Sequence, residues 1–469
     1  MLPRFFIIIL SLFSLLASGC AALPSTVKPS LEEEGEVFVF VEPFPQDAER
    51  LKFSIDSLAL VGSDGRESPL SLALTDFHAG SLQRQRFLAT GRVAPGQYHG
   101  LSCRVTKAAL RGEDGESALL VPEEPVKILL SFEVRRRQSV VLSLAFHYAA
   151  SVQGGFSFTP RFSLFVPSLP VSGLSGYAVN HDDNTVTVLD KKTGQVASLI
   201  ATGRGPESVA FDQKARVAYV SFADDDAVGV IDVVEGIPID RINLKIGDGP
   251  RDIALTPDGK SLLTVNTTSR TLGIIDTASL FERSRISLGD GPRGLLVGRT
   301  GGRCYVFNRD SNTMSVIDIA NSAIVATVAT EGAPLMGQFN RSGDRLYVIH
   351  EDSPYLLVIN PSSLSIVKRV FVGQGLRFIK LDSMTDLLYA YRSGDARIEV
   401  YDPFTLNPVD YLPAMSGIVY MTIDGETNNL FLVSAEKKKL MAISLVSKKI
   451  VSETDTGENP TWVTLMGER

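Results

Sequence analysis

One phrase recurs seven times in the C-terminal part of the chain. A short apolar strand built round an aromatic residue or leucine is followed by a polar turn, then by a second apolar strand that usually ends in Asp. Tyr177-Ala178-Val179-Asn180 with Val186-Thr187-Val188-Leu189-Asp190 is the first copy, and Leu430-Phe431-Leu432-Val433 with Leu440-Met441-Ala442-Ile443-Ser444 is the last. The marker residues are Tyr177, Tyr219, Leu263, Tyr305, Tyr347, Tyr389 and Phe431, spaced by 42, 44, 42, 42, 42 and 42. A fixed period of this length, with two strands visible in each unit, fits four-stranded propeller blades better than a solenoid or β-helix, which repeats at shorter lengths.

A second marker keeps the same phase. Gly203-Arg204-Gly205-Pro206, Gly247-Asp248-Gly249-Pro250 and Gly289-Asp290-Gly291-Pro292 each precede an apolar strand, and weaker copies follow up to Gly457-Glu458-Asn459-Pro460. Glycine admits positive φ and proline fixes the next φ without donating, so the pair suits a sharp crossing between blades. The first unit lacks an inner strand, while Pro460 is followed by Thr461-Trp462-Val463-Thr464-Leu465-Met466 and no further unit. The C-terminal strand is therefore expected to complete the first blade and close a ring of seven, removing the open sheet edges.

These phrases resemble the YVTN family of seven-bladed propellers, whose name corresponds here to Tyr219-Val220-Ser221, Thr264-Val265-Asn266 and Tyr305-Val306-Phe307-Asn308. The resemblance covers about residues 170–469 and implies a secreted or surface propeller, often without enzyme activity. No Trp-Asp dipeptide supports the WD40 type.

Ahead of the repeat, residues 36–168 show period-two runs such as Val37-Phe38-Val39-Phe40-Val41 and Phe53 to Leu60, broken by turns at Ser63-Asp64-Gly65 and Ala94-Pro95-Gly96. That pattern predicts a β-sandwich. Glu42-Pro43 and Pro95-Gly96-Gln97-Tyr98 resemble a bacterial family of unknown function found at the front of secreted chains and lipoproteins. The expected fold class is all-β: an N-terminal β-sandwich, then a seven-bladed β-propeller closed by the C-terminal strand.

The first 19 residues, MLPRFFIIILSLFSLLASG, place one basic residue before a short apolar run and end in small residues, the order of a signal peptide. Ala17-Ser18-Gly19-Cys20 resembles the bacterial lipobox and implies cleavage before Cys20 and lipid on its thiol and new amino group, although the family prefers Leu where Ala17 stands. An ordinary secretory signal with an incidental cysteine is the alternative. No Asp follows Cys20, which by the family's rule points to the outer membrane, and residues 20–35 form an expected tether with Pro24, Pro29 and Glu32-Glu33-Glu34.

A net charge of −7 argues against nucleic acid as a partner. No C-x-x-C-H, H-E-x-x-H or G-x-S-x-G sequence calls for haem, zinc or a serine nucleophile, so neither cofactor nor metal is expected. Cys103 and Cys304 fall in strands as buried thiols, and His181 and His350 fall in polar turns as solvated side chains. Acidic turns such as Asp224-Asp225-Asp226 could hold calcium, but Asx turns explain them as well. One position after each crossing proline or its equivalent stand Glu207, Arg251, Arg293, Leu335, Arg377, Val419 and Thr461. Arg251, Arg293 and Arg377 on one ring could bind a carboxylate or phosphate, or could simply pair with Glu207 and Asp252. The expected function is a non-catalytic binding or scaffold lipoprotein whose propeller face engages an envelope protein, a polysaccharide or a small anion. The alternative is a hydrolase or lactonase at the channel mouth, which would need a metal or a His/Glu constellation inside the channel.

Overall fold

The computed structural model describes residues 28–113 and 115–468; Cys20 and the residues before it lie outside them. Seven four-stranded antiparallel sheets form the C-terminal ring. In blades 2 to 7 the four strands follow one another in sequence, as in Pro250–Leu255, Ser261–Asn266, Thr271–Asp276 and Glu282–Ser287 of blade 3. Blade 1 is assembled from both ends of the repeat. Its inner strand is Pro460–Leu465, which pairs with Ser175–Asn180 through Tyr177 opposite Thr464 and Ala178 opposite Val463. The closing strand expected from the sequence is in place.

The local chemistry of the repeat explains its spelling. At each crossing the residue before the inner strand has positive φ: Gly205, Gly249, Gly291, Ala333, Gly375, Gly417 and Asn459. Glycine holds five of the seven because this conformation carries no steric penalty for it. The Asp that ends the third strand is the first residue of an Asx turn. Asp190 accepts from the N–H groups of Lys192 (2.8 Å) and Thr193 (3.0 Å), and Asp232 does the same for Val234 and Glu235. Blades then stack through shared apolar clusters, such as Tyr305, Phe307, Val316, Leu346, Val348 and Leu357 between blades 4 and 5. Each such fully buried side chain contributes roughly 1.5–3 kcal/mol.

The ring seam carries a buried charge. Lys191 of blade 1 is fully buried; its Nζ donates to Asp424 Oδ1 of blade 7 at 2.8 Å, Glu426 Oε2 at 3.0 Å and the Met466 carbonyl at 2.6 Å. One ammonium thus fastens blade 1, blade 7 and the end of the closing strand, with all three of its donors used.

The N-terminal region is one ten-stranded sheet that curls into a half-barrel. Its path runs from Phe162–Phe165 through Ser139–Phe146, Gly35–Val41, Arg86–Val93, Glu67–Leu72, Leu51–Gly62 and Gly96–Gly112 to Gly115–Leu119. The two layers read from the sequence belong to this single sheet, joined because Glu67–Leu72 pairs with a strand on each side. Between them lies a stack of rings, with Phe53 and Phe77 centroids 4.5 Å apart and Phe44 and Phe146 4.6 Å apart.

The half-barrel packs on the propeller's flank. Phe38, Phe40 and Val141 meet Val196 and Leu199 of blade 1's outer strand. Asp455 of blade 7 accepts from Arg84 (2.8 Å), Arg86 Nε (2.9 Å) and the Phe87 N–H (3.1 Å). At the start of the described chain, the Lys28 N–H donates to the Asp182 carbonyl at 2.8 Å and the Asn184 side chain donates back to the Lys28 carbonyl. Lys28 is therefore docked on the His181–Asn184 loop of blade 1.

Candidate functional site

All seven inner strands share a register shift just after the crossing, between Pro250 and Asp252 in blade 3 and between Leu376 and Phe378 in blade 6, for instance. Such a bulge adds one residue to one strand and re-aims its neighbours. Here two successive side chains in most inner strands border the central cavity instead of alternating in and out. The result is a space of about 780 Å³ at the channel mouth, bordered by all seven blades.

The outer of the two side-chain rows contains the arginines expected from the sequence. Arg251, Arg293 and Arg377 all line this one cavity. Two of them are paired. Arg251 Nη2 lies 3.1 Å from Glu207 Oε1, and Arg377 bonds Glu351, which also accepts from Arg309 Nε at 2.8 Å. These arginines hold the Glu351 carboxyl below its usual range. Arg293 has no hydrogen bond or ion pair with any described residue. Its side chain is exposed at the cavity mouth, where desolvation by the surrounding atoms, followed by the neighbouring Arg251 charge, lowers its pKa. Asp252 does not pair with the arginines. It accepts from the Leu295 N–H of blade 4 at 2.7 Å, and burial pushes its carboxyl up to about 7, with the Glu207 charge adding to the shift.

The inner row was missed by sequence reasoning. One residue further along each strand stand Asp252, Met336, Phe378, Tyr420 and Trp462. Tyr420 sits between the other two rings, 3.7 Å from the Trp462 centroid and 4.8 Å from that of Phe378. The 42-residue columns held the signal: three aromatic residues fall in one column, including the chain's only tryptophan. Strict alternation along a strand hides it, because the bulge is what turns the second residue toward the channel.

The histidines differ from the expectation of solvated loops. His181 borders the cavity with its side chain 16% exposed, Nδ1 at 2.7 Å from Asp182 and Nε2 at 3.6 Å from Glu207. His350 closes the strand Leu346–His350 and is 1% exposed; burial pushes it down to about 4. Its turn is polar, but the side chain points into the fold, with Nδ1 3.2 Å from the Tyr355 carbonyl. Cys103 and Cys304 are buried thiols, both pushed up to about 12 by burial.

The acidic turns serve the ring. Asp226 accepts from the Gly247 and Gly249 N–H groups of the next crossing, both at 2.8 Å, and Asn184 and Asn312 do likewise for Gly205 and Ala333. Asp225 is held by Arg204 at 2.7 Å and Arg241 at 3.3 Å. Among the described residues no group of three or more His, Cys, Asp or Glu side chains is arranged to hold a metal ion.

A family model described as a YNCE-like β-propeller matches residues 159–382. No curated protein matches the chain. Among solved structures, the dihydro-heme d1 dehydrogenase NirN in complex with DHE aligns with a TM-score of 0.51 at 15% identity, over 64% of this chain and 77% of that one. A functionally unknown protein from Desulfotomaculum acetoxidans DSM 771 aligns with a TM-score of 0.55 at 14% identity, over 62% of this chain and 98% of that one. At these identities the likeness is one of fold.

Proposed function

We propose that the chain is a lipoprotein of the cell envelope, anchored by lipid on Cys20, that acts as a non-catalytic binding module through the mouth of a YVTN-type propeller. The N-terminal region, akin to a family without assigned chemistry, would carry the propeller at the outer membrane. The observation that carries the binding reading is the meeting of Arg251, Arg293 and Arg377 on one cavity of about 780 Å³, a size common among small-molecule sites. A small anion is the ligand this mouth suits, since guanidinium groups offer forked donors to carboxylate or phosphate. An envelope protein or a polysaccharide could share the same face. Binding of phosphate or an organic carboxylate by isothermal titration calorimetry, lost in an Arg251→Gln/Arg293→Gln/Arg377→Gln variant that still folds, is the expected result; no heat with any anion removes the reading. Anchoring is tested separately: metabolic labelling with palmitate should mark the protein, and Cys20→Ser should abolish the label and release the protein from the membrane fraction.

A second reading, a hydrolase or lactonase, draws on the Asp252 carboxyl at about 7 and on His181 beside Glu207 within the same cavity. A carboxyl raised to neutrality in a cleft is suited to moving a proton. Lactone hydrolysis that disappears in Asp252→Asn would favour this reading over simple binding.

A further inference from the structure

The channel wall is divided by chemistry as well as by strand. Blades 3 and 4 bring Arg251, Asp252 and Arg293, while blades 6, 7 and 1 bring Phe378, Tyr420 and Trp462, with Arg377 of blade 6 above the rings and paired to Glu351. The two sets face each other across the cavity. The three rings are each only partly covered, so their remaining surface is turned into that space. The Tyr420 hydroxyl and the Trp462 indole N–H, like the Arg293 guanidinium, make no hydrogen bond with any described residue.

The charge at the mouth is nearly balanced. Arg251 is matched by Glu207, and Arg377 and Arg309 by Glu351 and Asp310. Arg293 is left over on the charged side. A polyanion would have to break the existing pairs, and a neutral ring would leave the unpaired Arg293 guanidinium without the forked partner a carboxylate offers it.

We infer that the channel takes a planar aromatic monoanion, its ring against the Phe378–Tyr420–Trp462 wall and its carboxylate on Arg293. This rests on the anion site proposed above and names its ligand class. Offset or edge contacts between the bound ring and the wall supply selectivity for aromatic over saturated rings, and the guanidinium supplies selectivity for charge. Asp252, near neutrality, can be protonated when the anion enters, so that it does not repel the carboxylate.

The single tryptophan provides the readout, because Trp462 is in the cavity wall. The full chain is titrated with 2-naphthoate, 2-naphthamide and cyclohexanecarboxylate, following Trp462 emission and, in parallel, heat. The expected result is a change in Trp462 emission with 2-naphthoate and an affinity for it at least about tenfold above those for the other two probes, the scale of a charge-assisted hydrogen bond. Arg293→Gln should erase the preference for 2-naphthoate over its amide. Phe378→Leu should erase most of the preference over the saturated ring while leaving cyclohexanecarboxylate binding unchanged. Circular dichroism checks that both variants keep the fold. Equal affinity for 2-naphthoate and cyclohexanecarboxylate overturns the aromatic inference and leaves the anion site standing. Equal affinity for 2-naphthoate and 2-naphthamide overturns the charge assignment to Arg293. Absence of binding by all three probes overturns the inference, and the separate phosphate titration then decides whether the anion site survives.

Discussion

The half-barrel and the propeller are made of the same material, mostly antiparallel β-strands with apolar faces, yet they solve the edge problem differently. The propeller joins its first and last units through Tyr177 and Thr464, so every blade has a neighbour on both sides. The half-barrel ends in the short strands Phe162–Phe165 and Gly115–Leu119 and leans its flank on blades 1 and 7. A ring depends on its closure, whereas an open sheet depends on what covers it.

The closure should be the most sensitive point. Deleting residues 460–469 removes the inner strand of blade 1 together with the fully buried Val463 and Leu465, whose burial alone contributes roughly 3–6 kcal/mol. The deletion is expected to lower the Tm of the propeller drastically while the half-barrel core keeps its own structure; unchanged thermal unfolding would break the comparison. Next comes Lys191→Ala, which leaves Asp424 buried without its cation and should cost about 3–5 kcal/mol in denaturant unfolding. Burial pushes the Asp424 carboxyl up, but hydrogen bonds from Lys191 and Thr427 outweigh it and hold the pKa below the ordinary 3.8. The stability from this pair is therefore present above about pH 4 and is lost as pH falls through the lower folded value. Acid titration of Lys191→Ala should show that loss reduced.

At the junction of the two regions, Asp455→Asn weakens the bonds from Arg84, Arg86 and Phe87 and should cost about 1–3 kcal/mol. Calorimetry sharpens the comparison here: the variant should resolve two transitions where the parent shows closer coupling. The smallest effect belongs to Asp252→Asn. The folded carboxyl sits at about 7 against 3.8 unfolded, so the folded state holds its proton more tightly and stability falls as pH rises through that window. The asparagine variant should gain on the parent as pH rises from about 4 to 7, read as a growing stability difference in urea unfolding at about pH 5 and about pH 8.

Repetition explains what could be read from the sequence. Seven copies of one phrase let Tyr177 and Pro460 locate the missing strand, and Gly205 or Gly249 announced crossings that Ala333 and Asn459 make with the same positive φ. The half-barrel offers a single copy of each strand, so its alternation identified two apolar faces but not the pairing of Glu67–Leu72 with both neighbours that makes them one sheet. In the site, Arg251, Arg293 and Arg377 were legible because they share a column. Phe378, Tyr420 and Trp462 share the next column, but only the bulge turns them inward, and a bulge leaves no residue signature of its own. Lys191 was illegible for another reason: its partners lie 233 and 235 residues away across the seam.

The docking of Lys28 on the His181–Asn184 loop bears on how the molecule would stand at a surface. That loop borders the channel mouth, so the described chain begins on the same face as the cavity. With lipid on Cys20 as proposed, eight residue steps separate the anchor from Lys28, and a fully extended chain spans at most about 29 Å over that length. The mouth would then be tethered within roughly one bilayer thickness of the headgroups.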